Sequence, residues 1–123
     1  MPVYLSPEWI EEAHAALEAS GLRTSDGDQF SVEQHVDEVV FHMVFDGSGA
    51  SVYSGPAADP SVVFRQSWDT AVAIAKGEQS AEEAVLNGEV TFEGDPMALL
   101  SHRRLLTHAE DVFAIVRART TWG

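Results

Sequence analysis

Cysteine is missing from the chain, and with it go disulfides, thiolate metal sites and cysteine nucleophiles. Positive charge is scarce as well. Seven Lys and Arg stand against 20 Asp and Glu, for a formal charge of −13. Nucleic acid is excluded as a partner, because phosphate-rich ligands need a basic face. Long apolar runs are also lacking. No stretch approaches the ~18 residues that span a bilayer, so no integral membrane segment is expected. The opening "MPVYLSPEWIEEAHAAL" does not set a basic leader before an apolar run, which argues against a secretory signal and for a cytoplasmic protein.

What remains is enough for a core. With 123 residues, 45% of them apolar, a single domain over 1–123 is the natural expectation. The charge is uneven: residues 1–95 carry 18 acids and 3 bases, whereas 96–123 carry 2 acids and 4 bases. Arg103, Arg104, Arg117 and Arg119 therefore make the C-terminal part the one region able to tolerate an anion. A solvated helix face is the simpler explanation of these arginines.

Along the chain the hydrophobic period changes twice. Ser6-Pro7 suits a helix start, with serine capping and proline in the first helical position. Trp9, Ile10, Ala13, Ala16 and Leu17 follow at helical spacing until Gly21, so 1–21 reads as an amphipathic N-terminal helix. From Phe30 the period falls to two. Val39, Phe41, Met43 and Phe45 share a face, "DGSG" turns the chain into "ASVYS", and "SVVF" is a fourth strand, giving a β-meander over 30–65. The region 67–123 reads as helices plus a fifth strand. Trp68, Ala71, Val72 and Ala75 form a helical stripe; Ser80 and Glu83 form a capping box; "EVTFE" alternates; Asp95-Pro96 opens a leucine-rich helix. Thr107 and Glu110 form a second capping box, which predicts a helix break there. The expected class is α+β, a mainly antiparallel five-stranded sheet covered on one face by helices. A fifth strand joining in parallel would need a crossover, and the segment between "SVVF" and "EVTFE" is long enough to supply one.

The ordered set Gly77, Ala84, Val85, Leu86, Gly88, Val90, Phe92, Gly94, Asp95, Leu99 and Leu100 resembles the sterol carrier protein type 2 family of lipid-binding domains. The resemblance covers the second half most strongly. It implies an apolar cavity between sheet and helices that accepts sterols, fatty acyl chains or similar lipids. The chain departs from the family pattern in its ending "TTWG", in place of a peroxisomal Ser-Lys-Leu address, and in an extra amphipathic N-terminal helix and a stretch beyond Thr107, either of which could fill or lid the cavity.

On that resemblance the ligand-binding candidates are Phe41, Met43, Phe45, Trp68, Val72, Leu86, Phe92, Met97 and Leu100. Taken as an apolar stripe alone, the same residues describe a filled core, and the alternative function is a non-catalytic interaction or scaffold module. Ten buried CH₂ groups contribute ~8 kcal/mol. Less an association cost of at least ~4 kcal/mol, that gives binding no tighter than about millimolar. Useful affinity therefore needs a longer chain, ring stacking or a headgroup contact, for which Arg103, Arg104, His102 and His108 are the candidates. The five histidines lack metal-site spacing, and no metal or other cofactor is expected. No nucleophile motif is present, and Asp95 is explained as a helix cap, so a binding protein is expected in preference to an enzyme. An enzyme using His42 or His102 in the cavity is a third reading. The expected partner is an apolar small molecule; oligomerisation is left open.

Overall fold

The computed structural model describes residues 3–118 and 120–122. Helix α1 spans Pro7–Ser20: the Ser6 hydroxyl accepts from Trp9 N–H at 3.2 Å, Pro7 opens the first turn, and Gly21 ends it in the left-handed region at φ 75°. Its buried stripe is Trp9, Ile10, Ala13 and Leu17, which packs against strand β3 (Gly49–Ser54) and helix α5 (Arg103–Arg117). His14, on the same helix, accepts the Val52 N–H at 3.1 Å, which satisfies a backbone donor at the sheet edge.

Strands β1 (Phe30–Val36) and β2 (Val39–Asp46) form an antiparallel hairpin, with β3 outside β2. Asp37, at φ 51° in the first turn, receives the Trp68 N–H on its carboxylate at 2.9 Å. The hairpin is thereby tied to the start of helix α2 (Trp68–Ala75). Strand β4 (Val62–Gln66) leaves the meander expected from the sequence. It lies parallel to β1, on the far side from β2, and β5 (Val90–Gly94) pairs antiparallel with β4, so the order is β3-β2-β1-β4-β5.

The reason lies in the loop 55–61. It crosses the outer face of the sheet, where the Gly55 carbonyl meets His42 Nδ1 at 2.8 Å and Ala57 N–H donates to Glu33 at 2.9 Å. Three strand spacings of ~4.8 Å and a few residues of backtracking lie within the reach of seven extended residues. No helical crossover is needed. The long segment between β4 and β5, with α2 and α3 (Ala81–Leu86), instead leaves and re-enters at one end of the sheet, where Gln66 faces Val90.

The crossing loop buries Ser31 and Glu33, each 8% exposed. Glu33 bonds His35 Nε2 at 2.7 Å, and that bond, with the Ala57 N–H, holds its carboxyl below the usual range against the opposing effect of burial.

Helices α4 (Pro96–Ser101) and α5 meet at His102, not at Thr107. The Thr107 hydroxyl donates to the Arg103 carbonyl at 3.1 Å inside a continuing helix, so its capping box goes unused. His102 fixes the break: its ring stacks on Phe30 at 4.2 Å, with Nδ1 2.7 Å from the Ala98 carbonyl and Nε2 2.7 Å from the Asp28 carboxylate. The Thr107 motif is local, whereas the break is decided by this long-range contact.

Candidate functional site

The even residues of β1 face the helices together with the odd residues of β2. Val32, Gln34 and Val36, then Phe41 and Met43, form a floor that continues through Phe64 and Gln66 of β4 and Val90 of β5. Above it, α2 presents Ala71, Ile74 and Ala75, and α5 presents Leu106, Ala109 and Phe113. Alanines one helical turn apart on α2, and Ala109 on α5, are too short to reach the floor. A partly open cavity of about 420 Å³ results. It lies within the ~300–1,000 Å³ range of small-molecule sites.

The lining is mainly apolar, with polar groups at defined places. On the floor the Gln66 side-chain amide donates to the Gln34 oxygen at 2.9 Å. Tyr4, Glu110 and Arg117 lie on the wall formed by the N-terminal residues and the last turns of α5. Arg117 donates to the Glu110 carboxylate at 3.0 Å and to its carbonyl at 3.3 Å. Burial, reinforced by the Glu110 charge, pushes the Tyr4 phenol up to about 12, with Arg117 pulling the other way. At physiological pH this phenol is a neutral hydrogen-bond donor.

An aromatic cluster closes that end. The Tyr4 ring lies 5.1 Å from Trp9, 5.4 Å from Trp68 and 4.9 Å from Trp122. Trp9 lines the cavity and donates its indole N–H to the Thr120 hydroxyl at 2.9 Å. The Tyr4 N–H donates to the Thr121 carbonyl at 2.8 Å, so both ends of the described chain meet beside the site.

Of the candidates from the sequence, Phe41 and Met43 lie on the cavity floor. Phe45 shares their face but is fully buried further along β2, stacked with Phe30 at 6.2 Å. Trp68 packs on Tyr4 behind the lining, Phe92 packs on Phe64 at 5.9 Å, and Val72 is half-buried outside the lining. Leu86, Met97 and Leu100 are 86%, 65% and 60% exposed. The last three sit on six-residue helices, where one apolar period is too short to specify which side faces inward.

Among the headgroup candidates, Arg103, Arg104 and His108 are exposed and absent from the lining, and His102 has both ring nitrogens engaged. Arg117 is the arginine at the cavity; Arg119 lies outside the described residues. The helical stripe marked the face of Ala71 and Ala75, but nothing in the sequence marked them, Gln34, Gln66 or Tyr4 as cavity residues, because neither polarity on a strand nor an alanine on a helix announces a hollow.

Among the described residues no group of three or more His, Asp or Glu is placed to hold a metal, and no helix is long and apolar enough to cross a membrane. His42 bonds the Gly55 carbonyl on the outer face, away from the cavity.

Residues 13–107 match the model of the SCP-2 sterol transfer family. The fold is similar to a crystal structure of sterol carrier protein 2, with TM-score 0.64 and 14% identity over 90% of this chain and 97% of that one. It is similar to palmitated SCP2L2 from Aedes aegypti, with TM-score 0.52 and 23% identity over 91% of this chain and 95% of that one. It also matches part of the inverting sec-alkylsulfatase Pisa1 from Pseudomonas sp., with TM-score 0.57 and 12% identity over 85% of this chain. This chain spans only 15% of the alkylsulfatase, so the fold also occurs inside a much larger enzyme. No curated protein sequence matches significantly.

Proposed function

Since the chain belongs to the SCP-2 sterol transfer family, we propose that it is a non-catalytic carrier that holds one apolar ligand, an acyl chain or sterol-like molecule, between its sheet and helices. The observation that carries this reading is the 420 Å³ cavity over the Phe41 and Met43 floor. An apolar guest there removes its own surface and that of the floor from water, worth ~25 cal/mol per Å². The palmitated Aedes aegypti relative supports an acyl ligand for a domain of this shape. The chemistry at the site supports binding over catalysis: its polar groups are amides, the Ser80 hydroxyl that caps α3, a phenol held neutral and an arginine already paired with a carboxylate, without an activated nucleophile beside a base.

Native mass spectrometry of the protein after mild extraction tests the proposal. The expected spectrum contains one lipid-sized adduct per chain. Ala75→Phe, which places a ring in the cavity, removes the adduct while circular dichroism stays unchanged. Spectra with bare protein or oligomer alone, combined with no thermal shift on adding acyl chains, would move the reading to a scaffold module.

A further inference from the structure

We propose that the chain forms a two-fold dimer, in which the open edge of β5 pairs antiparallel with β5 of a second copy about an axis at Phe92. This inference does not depend on the carrier reading.

The two edges of the sheet are finished differently. At one edge β3 packs against α1, whose His14 takes the Val52 N–H. At the other, β5 is the last strand. The Asp95 N–H bonds the Ser61 carbonyl at 3.4 Å, and on the far side of β4 the Asp37 N–H bonds the Gln66 carbonyl at 3.0 Å. Antiparallel alternation therefore directs the backbone groups of Thr91 and Glu93 at β4, and those of Val90, Phe92 and Gly94 outwards. No hydrogen bond joins these outward groups to another part of the described chain. The strand "VTFEG" also has neither the lysine nor the proline that commonly blunts an edge.

An open edge accepts any strand; its surroundings select a second copy. Helix α3 leads into β5 and α4 leads out of it. Of seven exposed large apolar residues among those described, four flank this strand: Val85 and Leu86 on α3, Met97 and Leu100 on α4. A two-fold axis reverses the strand, so each end of β5 meets the opposite end of its partner. Val85 and Leu86 then lie beside the partner's Met97 and the partner's Leu100, and the contact occurs twice. Charge follows the same exchange. Glu82, Glu83 and Glu89 mark the α3 end, whereas Arg103 and Arg104 follow α4 and have no acidic partner among the described residues.

The axis at Phe92 is the register that uses all three outward residues, pairing Val90 with the partner's Gly94 and forming about six backbone hydrogen bonds. It sets Glu93, held by Arg65 at 2.9 Å, opposite the partner's Thr91, which keeps the two Glu93 side chains apart. The opposing element is Glu89, which comes across from the partner's Asp95. Both are exposed, and each already has a donor, from Gln79 and from the Met97 N–H, so water screens their repulsion. Helix α3 also lends Ser80, Ala81 and Val85 to the cavity, so the contact braces one of its walls.

The test is sedimentation equilibrium of the full chain over a concentration series, joined to disulfide trapping. The expected mass is that of two chains. Leu86→Gln and Leu100→Gln, both at exposed positions, should each weaken the dimer by about tenfold or more, since each change is felt twice. The chain has no cysteine, so introduced thiols report alone. In this register Thr91 and the partner's Glu93 form a non-hydrogen-bonded pair with Cα atoms ~4.5 Å apart, within disulfide range. Like positions lie ~8 Å apart, beyond it. Mild oxidation should therefore give a covalent dimer of the Thr91→Cys/Glu93→Cys double variant and of neither single variant. A single-chain mass at every concentration overturns the proposal, whether the edge then stays bare or the chain cosediments with phosphatidylcholine vesicles. A dimer that the double variant does not trap, or that Glu93→Cys alone traps as well, overturns it too, because another face or register must hold it. None of these results touches the carrier reading.

Discussion

Gly94 closes the fifth strand where β5 runs tightest against its neighbour. Its φ is 122°, and a Cβ built there would lie 2.9 Å from Val62 Cα and closer still to the Ser61 carbonyl oxygen. Gly88, at the other end of the same strand, has φ 76° with open space around it. The pair separates backbone strain from collision. Gly88→Ala is expected to cost about 1–2 kcal/mol, the ordinary price of a left-handed alanine. Gly94→Ala, with φ further from the αL well, carries at least that strain, and its clash is with backbone that cannot swing aside as a side chain would. Overpacking adds about 1–3 kcal/mol, for a total of about 2–5 kcal/mol. Urea unfolding measures both variants, with an unchanged slope required for the comparison to hold. The outcome that refutes the reasoning is a Gly94→Ala midpoint equal to, or higher than, that of Gly88→Ala. The close approach of β5 to β4 would then have enough slack to absorb a methyl group.

His102 makes stability depend on pH. Burial alone lowers its pKa, but the bonds to the Ala98 carbonyl and the Asp28 carboxylate outweigh it and leave a raised value. The imidazolium's contribution is therefore complete below the unfolded value of ~6.5 and is lost as pH rises through the higher folded value. An NMR titration should place the His102 midpoint above that of an unfolded peptide, and Asp28→Asn should lower it; a midpoint that stays put excludes the clamp. Asp95 accepts the Met97 N–H at 2.9 Å as the cap of α4. Asp95→Ala should cost about 0.5–2 kcal/mol in denaturant and leave ligand preference untouched; lost binding at equal stability would contradict the capping role.

Local chemistry was well written in the sequence. Ser6-Pro7, Ser80 and Asp95 each cap a helix as their spacing foretold, and the alternation through Phe41, Met43 and Phe45 marked the inward face of β2. Long-range decisions were not legible. Nothing local tells β4 to lie beside β1, because the decisive contacts are those of a proline-bounded loop with Glu33 and His42 across the sheet. The α4–α5 break follows from Phe30 and Asp28, both more than seventy residues away from His102. Apolar pattern also does not distinguish a side chain at a hollow from one in solid core. Phe41 and Phe45 share a strand face, yet one borders the cavity and the other is packed against Phe30.

The hollow itself constrains how the protein is stabilised. Were it closed and dry, a void of 420 Å³ would cost on the order of 10 kcal/mol at ~24 cal/mol per Å³, but the cavity is partly open and water can enter it. The dry cost is comparable to the whole stability of an ordinary domain, ~5–15 kcal/mol. Such a space is not retained dry; its contents belong to the folded state. The Gln34–Gln66 amides, Tyr4 and Arg117 give water enough partners at the polar places, but the Val32, Phe41 and Met43 floor does not. Water on the floor is therefore the weakly held part of the filling, and an alkyl chain gains most by displacing it.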